Sequence, residues 1–128
     1  TVTAAAALVW SKYPWLTNDQ VRQTILTTAD SLDDGSGSKL FNDRFGWGFL
    51  DAEQAVKGPG AFWRIFGNAF KADVDNSKPM YVFSNDIAGD AGLEKSGLGI
   101  LVLSGNNTYT GATDVMQGKL IMQHQKLE

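Results

Sequence analysis

Hydrolysis at a serine needs a base within hydrogen-bond reach of the hydroxyl and a third group to orient that base. The 128-residue chain contains one histidine, His124, close to its C-terminal end. Ser36 and Ser38 lie far from it in sequence, in the stretch "DSLDDGSGSKLFND", whose Gly, Ser and Asp content reads as a plain loop. No Gly-x-Ser-x-Gly turn, the strained elbow that lifts a nucleophile out of a sheet, occurs anywhere in the chain. No acid, base and nucleophile can be assembled from these residues, so the chain by itself is expected not to be an enzyme.

The same loop raises a second possibility. Asp30, Asp33 and Asp34 precede Gly35, and clustered carboxylates suit a hard cation such as calcium. Their spacing is not the alternating ligand pattern of an EF-hand loop, so a solvated acidic loop is the favoured reading and no metal is assigned. There are no cysteines, which removes disulfides and thiolate metal sites, and no cofactor is expected. A net charge of −3 gives no electrostatic basis for nucleic acid or an anionic membrane.

The elements that would position these residues fall into two textures. "TVTAAAALVW" reads as a helix with almost no polar face, ended by Pro14 and expected to be buried all round, with only Thr1 or Thr3 to cap it. Thr17 with Gln20 forms a capping box, and Asp19 suits the positive end of the following helix. Val21, Ile25, Ala29 and Leu32, with Leu26 beside them, make its apolar stripe, while Asn18, Arg22, Gln23 and Thr27 lie off it. In "RFGWGFLDAEQAV", Gly46 and Gly48 bracket Trp47, and Asp51 caps a short helix from Ala52 to Val56 that Gly58-Pro59-Gly60 stops.

Beyond that triplet the chain turns aromatic and then strand-like. Trp47, Phe62, Trp63, Phe66 and Phe70, with Ile65, are either a groove for a peptide or sugar or a buried seam between two parts, and the seam is favoured. Tyr81 and Phe83 sit two apart, as on one face of a strand. From Gly89 onward, Ile100 to Leu103, then Tyr109, Thr113 and Val115, then Leu120 and Met122 form short strands between Gly and Asn turns. No helical stretch separates them, which points to a β-solenoid or β-sandwich, with one copy of the repeat visible. Asn106-Asn107-Thr108 also fits a glycosylation acceptor, but the turn reading accounts for it.

Two stretches resemble known families. Residues 1–56, with "TVTAAAALV", "KYPWLTNDQV" and "GWGFLDAEQAV", resemble the C-terminal end of the catalytic domain of subtilisin-like serine proteases. "GLEKSGLGILVLSGNNTYTGATDVMQGKL", roughly Gly92 to Met122, is similar to the passenger-associated repeat of bacterial autotransporters. The resemblance implies an α/β piece whose helices pack on a parallel sheet supplied from elsewhere, followed by an all-β, solenoid-like segment. It divides the chain at 1–57, 58–91 and 92–128, and places the nucleophilic serine just upstream of Thr1, with no catalytic residue within these positions. Leu8, Val9, Trp10, Val21, Ile25 and Leu26 would then face the rest of the protease domain.

What the resemblance implies for function is a non-catalytic part of a secreted or surface-anchored serine endopeptidase. Its partners would be the N-terminal remainder of the domain, protein or peptide substrates of the parent, and an outer-membrane barrel of the same chain. The alternative is a structural or adhesive passenger module with a helical cap, since solenoids need atypical terminal caps. A cap should carry one polar outer face, and the first helix has none.

The acidic loop gives a direct check. A solvated loop leaves the thermal midpoint unchanged in millimolar calcium, whereas a specific site would raise it through mass action. A calorimetric scan with and without calcium reads the difference.

Overall fold

The computed structural model describes residues 1–29 and 50–123. Among the described residues three helices come first: α1 (Val2–Lys12), α2 (Asn18–Thr28) and α3 (Ala52–Ala55). A 3-10 turn at Arg64–Phe66 leads into six strands, β1 (Ala69–Asp73), β2 (Tyr81–Phe83), β3 (Gly92–Ser96), β4 (Ile100–Leu103), β5 (Thr113–Val115) and β6 (Lys119–Met122). The expectations on the acidic loop, Ser36, Ser38, Trp47 with its flanking glycines, Leu32 and His124 fall outside the described residues.

The helix starts follow their side chains. Thr1 caps α1 by accepting from the Ala4 N–H at 3.1 Å. At α2, Thr17 accepts from Gln20 N at 3.1 Å while Gln20 Oε1 accepts from Thr17 N at 3.0 Å, completing the expected box. Asp51 does the same for α3, accepting from Gln54 N at 3.0 Å. α1 ends at Lys12 before Pro14, and α3 ends before Gly58-Pro59-Gly60.

Burial sorts the faces of the two long helices. On α1, Ala5 and Val9 are inside while Val2, Leu8 and Trp10 are exposed, and Leu8 and Trp10 are among the residues expected to face the rest of the protease domain. On α2, Val21 and Ile25 are buried as the stripe predicts, yet so are Gln20, Gln23, Thr24 and Thr28. Hydrophobic periodicity cannot see that second face. Three of its polar groups are satisfied locally, Thr24 and Thr28 by donating to the carbonyls of Gln20 and Thr24 at 2.9 and 2.7 Å, and Gln23 by donating to Asp19.

The strands form two three-stranded parallel sheets, ordered β1-β3-β5 and β2-β4-β6, with no closed barrel among the described residues. Each strand of the first sheet is followed by one of the second, so three successive strand pairs stack. The repeat-like stretch from Gly92 to Met122 spans the last two of these pairs. The first pair, in "AFKADVDNSKPMYVF", lacks the Gly-Asn turn signal, and of it only Tyr81 and Phe83 showed strand alternation.

Register sorts the side chains into columns. Phe70 lies beside Leu93 and Leu93 beside Thr113; Tyr81, Leu101 and Leu120 align, as do Phe83, Leu103 and Met122. The inward members join Val9, Tyr13, Leu16, Val21 and Ile25 in one apolar cluster, so the helices and strands share a core. Phe83 is its hub, with ring centroids 5.1 Å from Tyr13, 5.9 Å from Trp15 and 6.2 Å from Phe70.

The turns stack as closely as the strands. Gly105 sits so near Asn85 that a Cβ would stand 2.1 Å from its carbonyl oxygen, which excludes any side chain there. Around it, Asp86 Oδ1 accepts from Asn106 N at 2.7 Å and Asn107 Oδ1 accepts from Ile87 N at 2.8 Å. Asn106 and Asn107 thus bind the preceding turn, a more specific role than turn formation alone.

Candidate functional site

A parallel strand presents successive carbonyls to opposite edges, so the first strand of each sheet leaves one row unpaired. The carbonyl of Phe83 accepts from Ser104 N and therefore points toward β4. Val82, one residue back, must aim its carbonyl away from β4. On the other sheet, Asn68 O and Val74 N bond to β3 positions, which leaves Lys71 O on the outer edge.

Two helix-layer side chains reach these outer carbonyls. The Tyr13 hydroxyl lies 2.7 Å from Val82 O and 2.9 Å from Val56 O, its single proton serving an acceptor on β2 and one at the end of α3. Gln20 Nε2 donates to Lys71 O at 2.5 Å. One glutamine therefore both starts α2, through its carbonyl oxygen, and covers the edge of β1, through its amide nitrogen. The sequence signalled the first role and gave no sign of the second.

A third cover comes from the segment after α3. Lys57 O accepts from Ser84 N at 2.9 Å, and Asn85 Nδ2 donates to Gln54 O at 2.9 Å and Gly58 O at 2.7 Å. Gly60 N donates to Thr27 Oγ1 at 3.0 Å, pinning the same segment to the end of α2. Gly58 takes φ +101°, and a Cβ on it would meet the Phe83 ring at 2.7 Å. The glycine here is required both by conformation and by close approach.

The aromatic residues read as a seam are divided by the structure. Phe62 and Phe70 are buried and stacked with centroids 5.0 Å apart, and Tyr109 packs on Phe62 at 4.9 Å. Trp63 and Phe66 are half-buried beside a small pocket that Gln23 also lines, while Ile65 is exposed. Among the described residues no group of three or more acidic or histidine side chains is placed to hold a metal.

The electrostatics of this junction are those of buried phenols. Burial raises Tyr13 far above the ordinary tyrosine range. Tyr81 is raised by burial and by its hydrogen bond to Asp75, and Tyr109 by burial. Asp75 is lowered in turn, first by the Tyr81 hydroxyl and then by Ser77. Lys95, on β3, is lowered by burial. The Tyr13 hydroxyl in this arrangement holds backbone together.

A helical layer thus seals the open edges of two stacked three-stranded parallel sheets. Residues 1–48 match the subtilase family model and residues 93–122 the passenger-associated-transport-repeat model, and the two matches together support a likeness to the passenger region of subtilisin-like autotransporters. It is 46% identical over 122 residues to the Neisserial autotransporter lipoprotein NalP of Neisseria meningitidis serogroup B, an overlap covering 94% of this chain and 11% of that protein. It is 31% identical over 150 residues to an extracellular serine protease of Serratia marcescens, covering 93% of this chain and 14% of the relative. Serotype-specific antigen 1 of Mannheimia haemolytica is 30% identical over 121 residues, covering 94% and 12%. The chain thus spans little more than a tenth of the length of these curated relatives.

Two outcomes follow from the junction. Tyr13→Phe keeps the ring packing but removes the hydroxyl donor to the Val82 and Val56 carbonyls, so the urea midpoint should fall by the equivalent of about 1–3 kcal/mol. The chain's tyrosines, Tyr13, Tyr81 and Tyr109, all have folded-state pKa values raised above the unfolded one. Their contribution is complete below pH ~10 and is lost as pH rises beyond it. Lys95, whose pKa burial lowers, works in the opposite sense over the same range. The phenolate absorbance near 295 nm should therefore stay low through the ordinary tyrosine range and rise together with loss of structure.

Proposed function

We propose that this chain completes a subtilisin-like serine endopeptidase domain and joins it to a β-solenoid stalk, contributing structure and no catalytic group. One observation carries the reading: a subtilase match at residues 1–48 precedes a transport-repeat match at residues 93–122 in a single chain. The names of the similar proteins, an autotransporter lipoprotein and an extracellular serine protease, support export to the cell surface or medium. An outer-membrane barrel in the same parent is part of this proposal. No helix among the described residues is long and apolar enough to cross a membrane.

The proposed division is residues 1–57 for the end of the protease domain, 58–91 for the connection and 92–128 for the repeat. β1 and β2 lie in the connection and already take part in both sheets. Two three-stranded parallel sheets with consecutive strands alternating between them support a solenoid that grows by stacking strand pairs. The exposed Val2, Leu8 and Trp10 support a further protein layer over α1, the N-terminal remainder of the protease domain. The nucleophilic serine belongs to that remainder in this reading, and its substrates are proteins or peptides.

The edge-covering bonds of Tyr13 and Gln20 favour a second reading, a structural or adhesive passenger module with a helical cap. An exchange separates the two. The aligned segment of the Serratia extracellular serine protease is replaced by this chain, and the chimera is assayed on a protein substrate with and without a serine-directed inhibitor. Inhibitor-sensitive activity in the exported chimera is expected. An exported, folded chimera without activity would leave the passenger module.

A further inference from the structure

Lys95 stands on the inward face of β3, in register with Ala72 on one side and Val115 on the other, and its side chain is fully buried. Its Nζ lies 2.8 Å from Ser96 O, 2.9 Å from Gly97 O and 2.9 Å from Gln117 O. An ammonium has three protons and no acceptor, so these three carbonyls use its full capacity. Ser96 and Gly97 enter the turn that follows β3, whereas Gln117 belongs to the turn that follows β5. The same ammonium therefore ties together two turns that are about twenty residues apart in sequence and adjacent in space.

The surroundings are shaped to that group. Gly97 and Gly118 take φ +76° and +68°, a backbone conformation that side chains disfavour. A Cβ on Gly118 would stand 2.7 Å from Lys95 Nζ and 2.5 Å from the carbonyl oxygens of Gly97 and Gly99. Ala72, the small residue in register with Lys95, leaves room for the long stem. Asp73 on β1 supplies the nearby opposite charge. A buried charge is costly unless it is fully hydrogen-bonded, and Gln117 provides the third partner only when the later turn is in place.

We propose that Lys95, Ser96, Gly97, Gln117 and Gly118 form a primary-ammonium lock that seats the turn after β5 on the turn after β3, so that order in β5 and β6 depends on a charged amine at this point. The lock rests on the observed registers and distances and is independent of the endopeptidase reading.

Hydrogen exchange and amine chemical rescue test it. The probes are the Met116 and Gln123 amides, which donate to Lys95 O at 2.7 Å and Leu103 O at 2.8 Å; the Phe62 and Ala88 amides are the internal reference. Lys95→Met keeps the volume and removes the donors, and Lys95→Ala removes the stem and amine together. In both, protection at the probes should drop roughly tenfold or more relative to the reference amides. Propylammonium, which matches the deleted atoms, should restore protection in Lys95→Ala but not in Lys95→Met. Tetramethylammonium, which has no N–H, should restore neither. In the unsubstituted chain, Lys95 should acetylate far more slowly than the exposed Lys78. Unchanged protection in Lys95→Met, equal rescue by tetramethylammonium, or acetylation of Lys95 at the rate of Lys78 would each overturn the lock.

Discussion

Stacked parallel strands must dispose of the unpaired edge of their first member, and the helices here are organised around that constraint. An open edge costs unpaired backbone groups if it is buried and invites other chains if it is not. Tyr13 and Gln20 meet it with one polar atom each, reaching Val82 O on one sheet and Lys71 O on the other. Neither contact would survive a shift of one residue in the strand, because the neighbouring carbonyls face the opposite edge. The helical layer therefore fixes the register from which the later strands follow.

That requirement also explains the composition of α2. A helix lying on an apolar sheet face needs a hydrophobic stripe, whereas one lying against a strand edge needs donors and acceptors. α2 does both, with Val21 and Ile25 toward the core and Gln20, Gln23, Thr24 and Thr28 buried elsewhere on its surface. The threonines return their hydroxyls to the preceding turn of their own helix, so they occupy buried space without asking for a tertiary partner.

Local signals in the sequence were readable where the physics is local. Caps at Thr17 and Asp51, the stop before Pro14, and strands at Ile100–Leu103 and Lys119–Met122 rest on neighbours within a few residues. The edge contacts are different, since Tyr13 meets Val82 across 69 residues and Gln20 meets Lys71 across 51. A tyrosine before a proline looks like an ordinary helix end until its distant partner is known. β1 was missed because Phe70 and Ala72 alternate with Lys71 and Asp73 over too short a run to stand out beside the aromatic cluster. Lys95 was invisible for the opposite reason, since a lysine in a strand is normally read as an outward residue.

Apolar burial and polar matching divide the work between the two ends of the described structure. Near the helices, Phe83, Tyr13, Trp15 and Phe70 pack ring against ring, and the backbone is sealed by neutral donors. Toward β5 and β6 the aromatic mass runs out: β5 is exposed throughout, and Val115 and Met122 are largely solvent-facing. Among the described residues few large side chains pack on β5 and β6. A charged group with three carbonyl partners is a compact substitute, because its attachment depends on geometry rather than surface. It is also selective, since a slipped turn would carry Gln117 O away from the ammonium and leave a buried charge short of a partner. Beside the helices hydrophobic packing dominates, and at β5 hydrogen-bonded turns keep the strands in register with those before them.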